Sequence, residues 1–120
     1  MKVAVTSQGP ELGAAVDPRF GRAKFIIVVD AETGEFAAHD NVQNLNAVQG
    51  AGIQAAQNVV SLGVDAVITG NVGPKAFTAL QAGNVKVYIG AAGSVSDCVE
   101  QLKAGRLECV SEPNVDGHWM

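Results

Sequence analysis

The hydrophobic pattern divides the chain into short apolar runs and stretches with helical spacing. The runs predict strands, because β-branched residues are concentrated between turn signals; they are Lys2–Thr6, Lys24–Asp30, Glu35–Asp40, Asp65–Thr69 and Val85–Ile89. Helices are predicted where apolar residues recur every three or four positions. They cover Gly50 to about Leu62, Pro74–Ala82, and the segment from the cap Ser94 to the stop at Gly105.

This order of elements predicts an α/β fold. The first three strands form a meander, and Gly34 supplies the positive φ of the turn between the second and third strands. Alternation of strands and helices afterwards requires parallel pairing with right-handed crossovers. We therefore expect a three-layer fold with a mixed five-stranded sheet, order 3-2-1-4-5, and helices on its faces.

No linker, repeat or low-complexity segment divides the chain, so residues 1–120 are expected to form a single domain. The polar stretch Asn41–Gln49 is interpreted as a loop. The segment from Arg106 onwards contains one weak strand-like piece, Leu107–Val110, and the polar end of residues 106–120 is expected to be a flexible tail.

Composition excludes several function classes. The net charge is −4 with a pI of about 4.9, which argues against a general nucleic-acid or membrane-surface binder. No apolar run is long enough to span a membrane, and no signal peptide is evident. Cys98 and Cys109 form no disulfide framework. The cytoplasm is therefore the expected location.

The stretch Val16–Ala23, V-D-P-R-F-G-R-A, carries the densest chemistry. It ends an unusually long region between two apolar runs, and loops of that length are usually functional or disordered. Pro18, Phe20 and Gly21 favour a shaped loop. The alternative is a loop whose polar groups bond only to one another.

The predicted topology places this loop beside an anion-binding crevice. The first, fourth and fifth strands are parallel, so their carboxyl ends meet at one edge, where two helices also begin and direct backbone N–H groups. The candidate binding residues are Ser7, Gly9, Asp17, Arg19, Phe20, Arg22, Gly50, Gly52, Asn71, Gly73, Lys75 and Gly93. Arg19, Arg22 and Lys75 would supply charge, and Phe20 is either a core side chain or an apolar wall.

Catalytic motifs are not supported. The G-x-G-x-x-A match at 50–55 follows a polar loop instead of a strand, so it is interpreted as a helix entry. The chain has no P-loop, and the first strand has no acidic residue for two-metal nuclease chemistry. We therefore expect a non-enzymatic protein. Among metal ligands only the weak candidates His39, Cys98 and Cys109 are present, and none lies in a recognised motif.

Four motifs together resemble the dinitrogenase iron–molybdenum cofactor biosynthesis family, which includes NifX-like proteins and the C-terminal domain of NifB-like proteins. They are V-D-P-R-F-G-R-A, F-I-I-V-V-D, G-A-G-I-Q-A-A-Q and V-I-T-G-N-V-G-P-K-A-F. The resemblance implies a ribonuclease H-like fold without nuclease activity. It also implies non-covalent binding of a metal–sulfur cluster that contains molybdenum with iron or copper, and partners that donate or accept that cluster. The family usually has asparagine where Lys75 stands, and a lysine there favours an anionic guest.

Two functional hypotheses remain open at this point. The first is a binding or carrier protein for an anionic metal–sulfur cluster. The second is a protein–protein interaction or regulatory module that uses the same loop, in which Arg19 and Phe20 would contact the partner. The sequence leaves the oligomeric state open.

Overall fold

The chain folds as a sheet between two layers of helices. The computed structural model describes residues 1–41 and 51–110. The strands are β1 (Lys2–Ser7), β2 (Phe25–Asp30), β3 (Phe36–Asp40), β4 (Ala66–Ile68), β5 (Lys86–Ile89) and β6 (Glu108–Cys109), and the helices are α1 (Ala51–Ser61), α2 (Pro74–Ala82) and α3 (Val95–Lys103). A short 3-10 turn covers Phe20–Arg22. Apart from Asn41, the loop predicted at Asn41–Gln49 lies outside the described residues, as do Gly50 and residues 111–120.

The sheet confirms the predicted strand order and adds one strand. Its order is β3-β2-β1-β4-β5-β6. Strand β1 pairs antiparallel with β2 and parallel with β4, and β4 and β5 are also parallel. The prediction of five strands is wrong, because Glu108–Cys109 pairs antiparallel with Tyr88–Ile89 of β5. Strand β6 lies within Leu107–Val110, which the sequence marks only weakly as strand-like because both β6 residues are exposed. The expectation of a flexible tail is therefore wrong for this part of residues 106–120, which belongs to the sheet.

The turn between β2 and β3 confirms the predicted hairpin. Gly34 has φ 80°, and its N–H donates to the carbonyl oxygen of Asp30 (2.8 Å). The Asp30 carboxylate accepts the N–H of Glu32 (2.9 Å) and that of Thr33 (3.3 Å). These backbone donors, above all that of Glu32, lower the pKa of Asp30. The turn is therefore held by the side chain that ends β2.

Apolar side chains cover both faces of the sheet. On one face α1 and α2 pack with Phe20 against alternate strand residues such as Ala4 and Val67. On the other face α3 packs against Val3, Val5 and their neighbours. This alternation confirms the three-layer architecture. None of the helices in the described part of the chain has the length and hydropathy that a membrane crossing requires.

Helices α2 and α3 begin at the edge where β1, β4 and β5 end. Pro74 occupies the first position of α2, where its missing N–H is not needed. Ser94 caps α3 in a capping box, because its hydroxyl accepts the N–H of Asp97 (3.1 Å) while the Asp97 carboxylate accepts the N–H of Ser94 (3.3 Å). The predicted convergence of strand ends and helix starts is thus present.

Candidate functional site

The segment Val16–Arg19 crosses the carboxyl edge of the sheet and bonds to three separate chain segments. The Asp17 N–H donates to the carbonyl oxygen of Thr6 in β1 (2.8 Å). The Val16 N–H donates to the carbonyl oxygen of Gly93, just before α3 (2.9 Å), and the carbonyl oxygen of Pro18 accepts the N–H of Asn71, after β4 (2.8 Å). The loop is therefore part of the scaffold.

A glycine allows the loop to approach so closely. An added Cβ at Gly70 would lie 2.6 Å from Cα and 2.8 Å from the carbonyl oxygen of Pro18. Backbone atoms cannot yield as a flexible side chain can, so only glycine fits at this position. This contact brings Arg19 next to Asn71 in a short parallel bridge. Asn71 in turn precedes the N-cap of α2, Gly73, by two residues.

Two buried threonines, which the sequence analysis did not single out, hold the loop from below. The Thr6 hydroxyl donates to the carbonyl oxygen of Asp17 (2.8 Å), and the Thr6 and Thr69 hydroxyls lie 2.9 Å apart. Both side chains are fully buried at the ends of β1 and β4. The sequence did contain a signal for them, because each threonine closes an apolar run. A hydroxyl group buried at such a position requires a hydrogen-bond partner, which here is the loop or the other threonine.

Positive charge at this edge is only partly neutralised. The Arg19 side chain is 50% exposed, and its Nε lies 4.0 Å from Oδ1 of Asp17. Arg22 and Lys75 are exposed. Neither has a carboxylate within 4.0 Å among residues 1–41 and 51–110. A chain with net charge −4 therefore presents a local excess of cations here.

The amide donors at this edge differ from those predicted. All four N-terminal amides of α3 are used within the protein. Those of Ser94 and Asp97 donate within the capping box. The N–H of Val95 donates to the carbonyl oxygen of Ala14 (2.9 Å), and that of Ser96 donates to the carbonyl oxygen of Leu12 (3.0 Å). The expectation that α3 directs free N–H groups at a ligand is therefore wrong. The cause is the region after β1, which covers the start of α3.

The start of α2 is different. Phe77 is the first residue of this helix whose N–H bonds to a backbone carbonyl, that of Gly73 (3.0 Å). Within the part of the chain that the structure describes, no acceptor lies against the N–H groups of Lys75 and Ala76. An α-helix concentrates partial positive charge at such a terminus. The available donors therefore lie on the same side of the loop as Arg19.

A shallow cavity of about 380 Å³ lies on the other side of Pro18. Small residues and backbone form its walls: Gly13, Ala15, Val16, Pro18, Ala91, Ala92, Gly93 and Ser94. None of the described residues that line it carries a charge. Such a surface contacts a bulky guest through van der Waals interactions and leaves recognition of charge to the neighbouring cations.

The other predicted binding residues have mainly structural contacts. The Ser7 hydroxyl donates to the carbonyl oxygen of Gly9 (2.6 Å) and accepts its N–H (3.2 Å), so this turn is closed on itself. Phe20 is fully buried against α1, which makes it a core side chain and not a wall of the crevice. Gly52 is buried in the first turn of α1. Gly50 lies outside the described residues.

The three weak metal candidates are not brought together. His39 is on the edge strand β3, Cys109 is on the opposite edge strand β6, and five strand spacings separate them by about 24 Å. Cys98 is buried in α3, and its thiol lies 3.6 Å from the carbonyl oxygen of Ala92. Burial, and then the nearby charge of Asp97, raise the pKa of Cys98 to about 11, so the thiol is protonated at neutral pH. Among the described residues no group of three His, Cys, Asp or Glu side chains could hold a metal ion.

Comparison with known proteins identifies similar chains. Residues 1–105 match the family described as dinitrogenase iron–molybdenum cofactor. The apo form of the orange protein from Desulfovibrio gigas has a TM-score of 0.89 and 42% identity, covering 95% of this chain and 96% of that one. A provisionally assigned NifB protein from Thermotoga has a TM-score of 0.80 and 34% identity, covering 97% and 98%. An uncharacterised protein of Methanocaldococcus jannaschii is 30% identical over 90% of each chain.

Proposed function

The chain belongs to the dinitrogenase iron–molybdenum cofactor family, and from this premise we propose that it is a non-enzymatic binding and carrier protein for an anionic metal–sulfur cluster. The cluster would contain molybdenum with iron or copper and would be held non-covalently. This guest is the cargo that the sequence resemblance implies. The proteins that donate and accept the cluster would be its partners.

The observation that carries the proposal is a concentration of positive groups, only partly neutralised by the described residues, at one side of the Val16–Arg19 segment. This edge carries the guanidinium of Arg19 and the exposed side chains of Arg22 and Lys75. It also carries the backbone N–H groups of Lys75 and Ala76 at the start of α2. A multiply charged anion gains most from several charge-assisted donors that are already in place. Asp17 supplies a counter-charge to Arg19, with Oδ1 4.0 Å from its Nε.

The adjoining cavity is suited to the size and softness of such a guest. Its volume of about 380 Å³ and its walls of glycine, alanine and proline leave room for a cluster larger than a phosphate. Sulfide ligands are polarisable and accept only weak hydrogen bonds, so small apolar walls suit them. The Cys98 thiol is fully buried in α3, which supports retention by charge and shape and not by thiolate ligation.

Reconstitution tests this proposal. The apo-protein is mixed with tetrathiomolybdate and copper(I), or with an iron–sulfur cluster precursor, and desalted, and its visible absorbance and metal content are measured. The proposal expects a chromophore that stays with the protein. Loss of every chromophore on desalting would refute it.

Two variants then identify how the cluster is held. Arg19→Ala combined with Arg22→Ala should reduce retention more than Cys98→Ala, because the arginines supply charge. The reverse ranking would establish thiolate ligation. Phe20, which would have anchored a protein partner in the competing hypothesis, is fully buried. A protein partner captured by apo-protein, with no effect of metal or sulfide, would nevertheless favour the interaction module.

A further inference from the structure

Asp17 is a buried acid at a site that carries an excess of cations. Its residue exposure is 5%, and its main chain is held on both sides, by the Thr6 carbonyl oxygen and by the Thr6 hydroxyl. Oδ1 of its carboxylate accepts the N–H of Arg19 (2.9 Å) and lies 4.0 Å from Nε of the same residue. One side chain thus contacts both the backbone and the guanidinium of the residue two positions later.

The surroundings of Asp17 leave it little freedom. Pro18 fixes the backbone between Asp17 and Arg19, and the close approach of Gly70 holds Pro18 in place. The bridge from Arg19 to Asn71 fixes the other end of the segment. The direction in which Arg19 leaves the loop is therefore determined by Asp17, while the guanidinium itself stays half exposed.

We propose that Asp17 is a positioning residue for Arg19 and makes no contact with the anionic cargo. This inference rests on the proposed function of the same crevice. The carboxylate would hold the guanidinium in one direction at this edge before the anion arrives, so that little side-chain entropy is lost on binding. The carboxylate of Asp17 also weakens the attraction of the site for an anion. That cost in binding free energy would be smaller than the gain from holding Arg19 in place.

The proposal makes a prediction opposite in sign to simple electrostatics. Removing a negative charge beside an anion site should tighten binding if charge alone matters. If Asp17 acts by holding Arg19, Asp17→Asn should weaken binding instead. Asparagine keeps an Oδ1 that can accept the Arg19 N–H, so the loop backbone is preserved while the ionic contact is lost. The guanidinium of Arg19 is half exposed, and ion pairs open to solvent have small effects, so we expect binding about fivefold weaker.

A double-mutant cycle tests the inference. Dissociation constants for tetrathiomolybdate with copper(I) are measured by equilibrium dialysis for wild type, Asp17→Asn, Arg19→Gln and the double variant. Far-ultraviolet circular dichroism and thermal unfolding check that each variant is folded. Asp17→Ala is a second variant that removes the acid, and it removes the Oδ1 acceptor of the Arg19 N–H as well. It should therefore weaken binding at least as much as Asp17→Asn.

The expected result is coupling between the two residues. Asp17→Asn should weaken binding about fivefold in wild type and should leave it unchanged or tighten it in the Arg19→Gln background. Equal weakening in both backgrounds would mean a merely structural role, and tighter binding in wild type would mean a purely electrostatic one; either would overturn the inference while leaving the proposed function intact. Absence of binding by wild type would refute the proposed function and this inference with it.

Discussion

Substitution of Gly70 by alanine is the sharpest test of how the loop is held on the sheet. The new Cβ would lie 2.6 Å from Cα and 2.8 Å from both Cβ and the carbonyl oxygen of Pro18. Normal contact requires about 3.4 Å or more, so the two chain segments must separate by roughly 0.8 Å. That movement stretches the hydrogen bond from the Asn71 N–H to the Pro18 carbonyl oxygen, now 2.8 Å.

The expected loss of stability combines two terms. Forced overpacking costs about 1–3 kcal/mol, and a weakened backbone hydrogen bond adds about 1 kcal/mol. We therefore expect Gly70→Ala to lower the free energy of unfolding by about 2–4 kcal/mol, which corresponds to a fall in Tm of about 10–15 °C for a domain of this size. Urea denaturation followed by circular dichroism measures the change directly.

Gly13→Ala is the matched control. It makes the same chemical change in the same region, but an added Cβ there meets nothing within 4 Å. Its free energy of unfolding should stay within about 0.5 kcal/mol of wild type. If Gly70→Ala is as stable as Gly13→Ala, the Pro18 contact does not hold the loop, and the account of a fixed Arg19 fails.

Two further predictions concern α3. In the unfolded chain the Cys98 thiol ionises near its ordinary pKa of 9.0, and in the folded chain its pKa is about 11. The stability from the buried, protonated thiol should therefore be fully present below pH 9 and fall by about 2 kcal/mol as the pH rises to 11. Denaturation across this range should show a smaller fall in Cys98→Ala, and an equal fall would contradict the burial of the thiol. Ser94→Ala removes the acceptor of the Asp97 N–H and should lower the free energy of unfolding by about 1 kcal/mol, measured by urea denaturation. The control Ser61→Ala, at an exposed site, should change it by less than about 0.5 kcal/mol. Equal effects of the two substitutions would show that the capping box adds nothing to stability.

Much of the fold follows from local signals in the sequence. The capping pair Ser94 and Asp97, the proline that starts α2, and the glycine in the hairpin turn each act within a few residues. Such signals identify helix starts and turns because the required contacts are close in the chain. The strand order then follows from the alternation of elements and the short connections.

Features that depend on distant residues could not be predicted. The strand-like piece Leu107–Val110 is visible in the sequence, but its pairing as β6 depends on the backbone partners that the edge of β5 offers. The sequence around Phe20 is compatible with a core or a surface side chain, and only the packing of α1 against it decides between them. The α3 amides are covered by the carbonyl oxygens of Leu12 and Ala14, which lie more than eighty residues earlier in the sequence. Each of these outcomes is set by packing across the sheet.

The central claim is that the cations at the carboxyl edge hold an anionic cluster, and a comparison of two doubly substituted proteins tests it most directly. Arg19→Ala with Arg22→Ala removes two positive charges from this edge. Lys2→Ala with Lys86→Ala removes two positive charges from the first residues of β1 and β5, at the amino ends of these strands, away from the carboxyl edge. The net charge changes equally, and only the position differs.

The measurement is molybdenum retained per chain after reconstitution with tetrathiomolybdate and copper(I) and desalting. The account predicts that the Lys2 and Lys86 variant retains as much as wild type, while the Arg19 and Arg22 variant loses most of it. Equal retention by the two variants would contradict the claim, because the position of the charges would then have no effect.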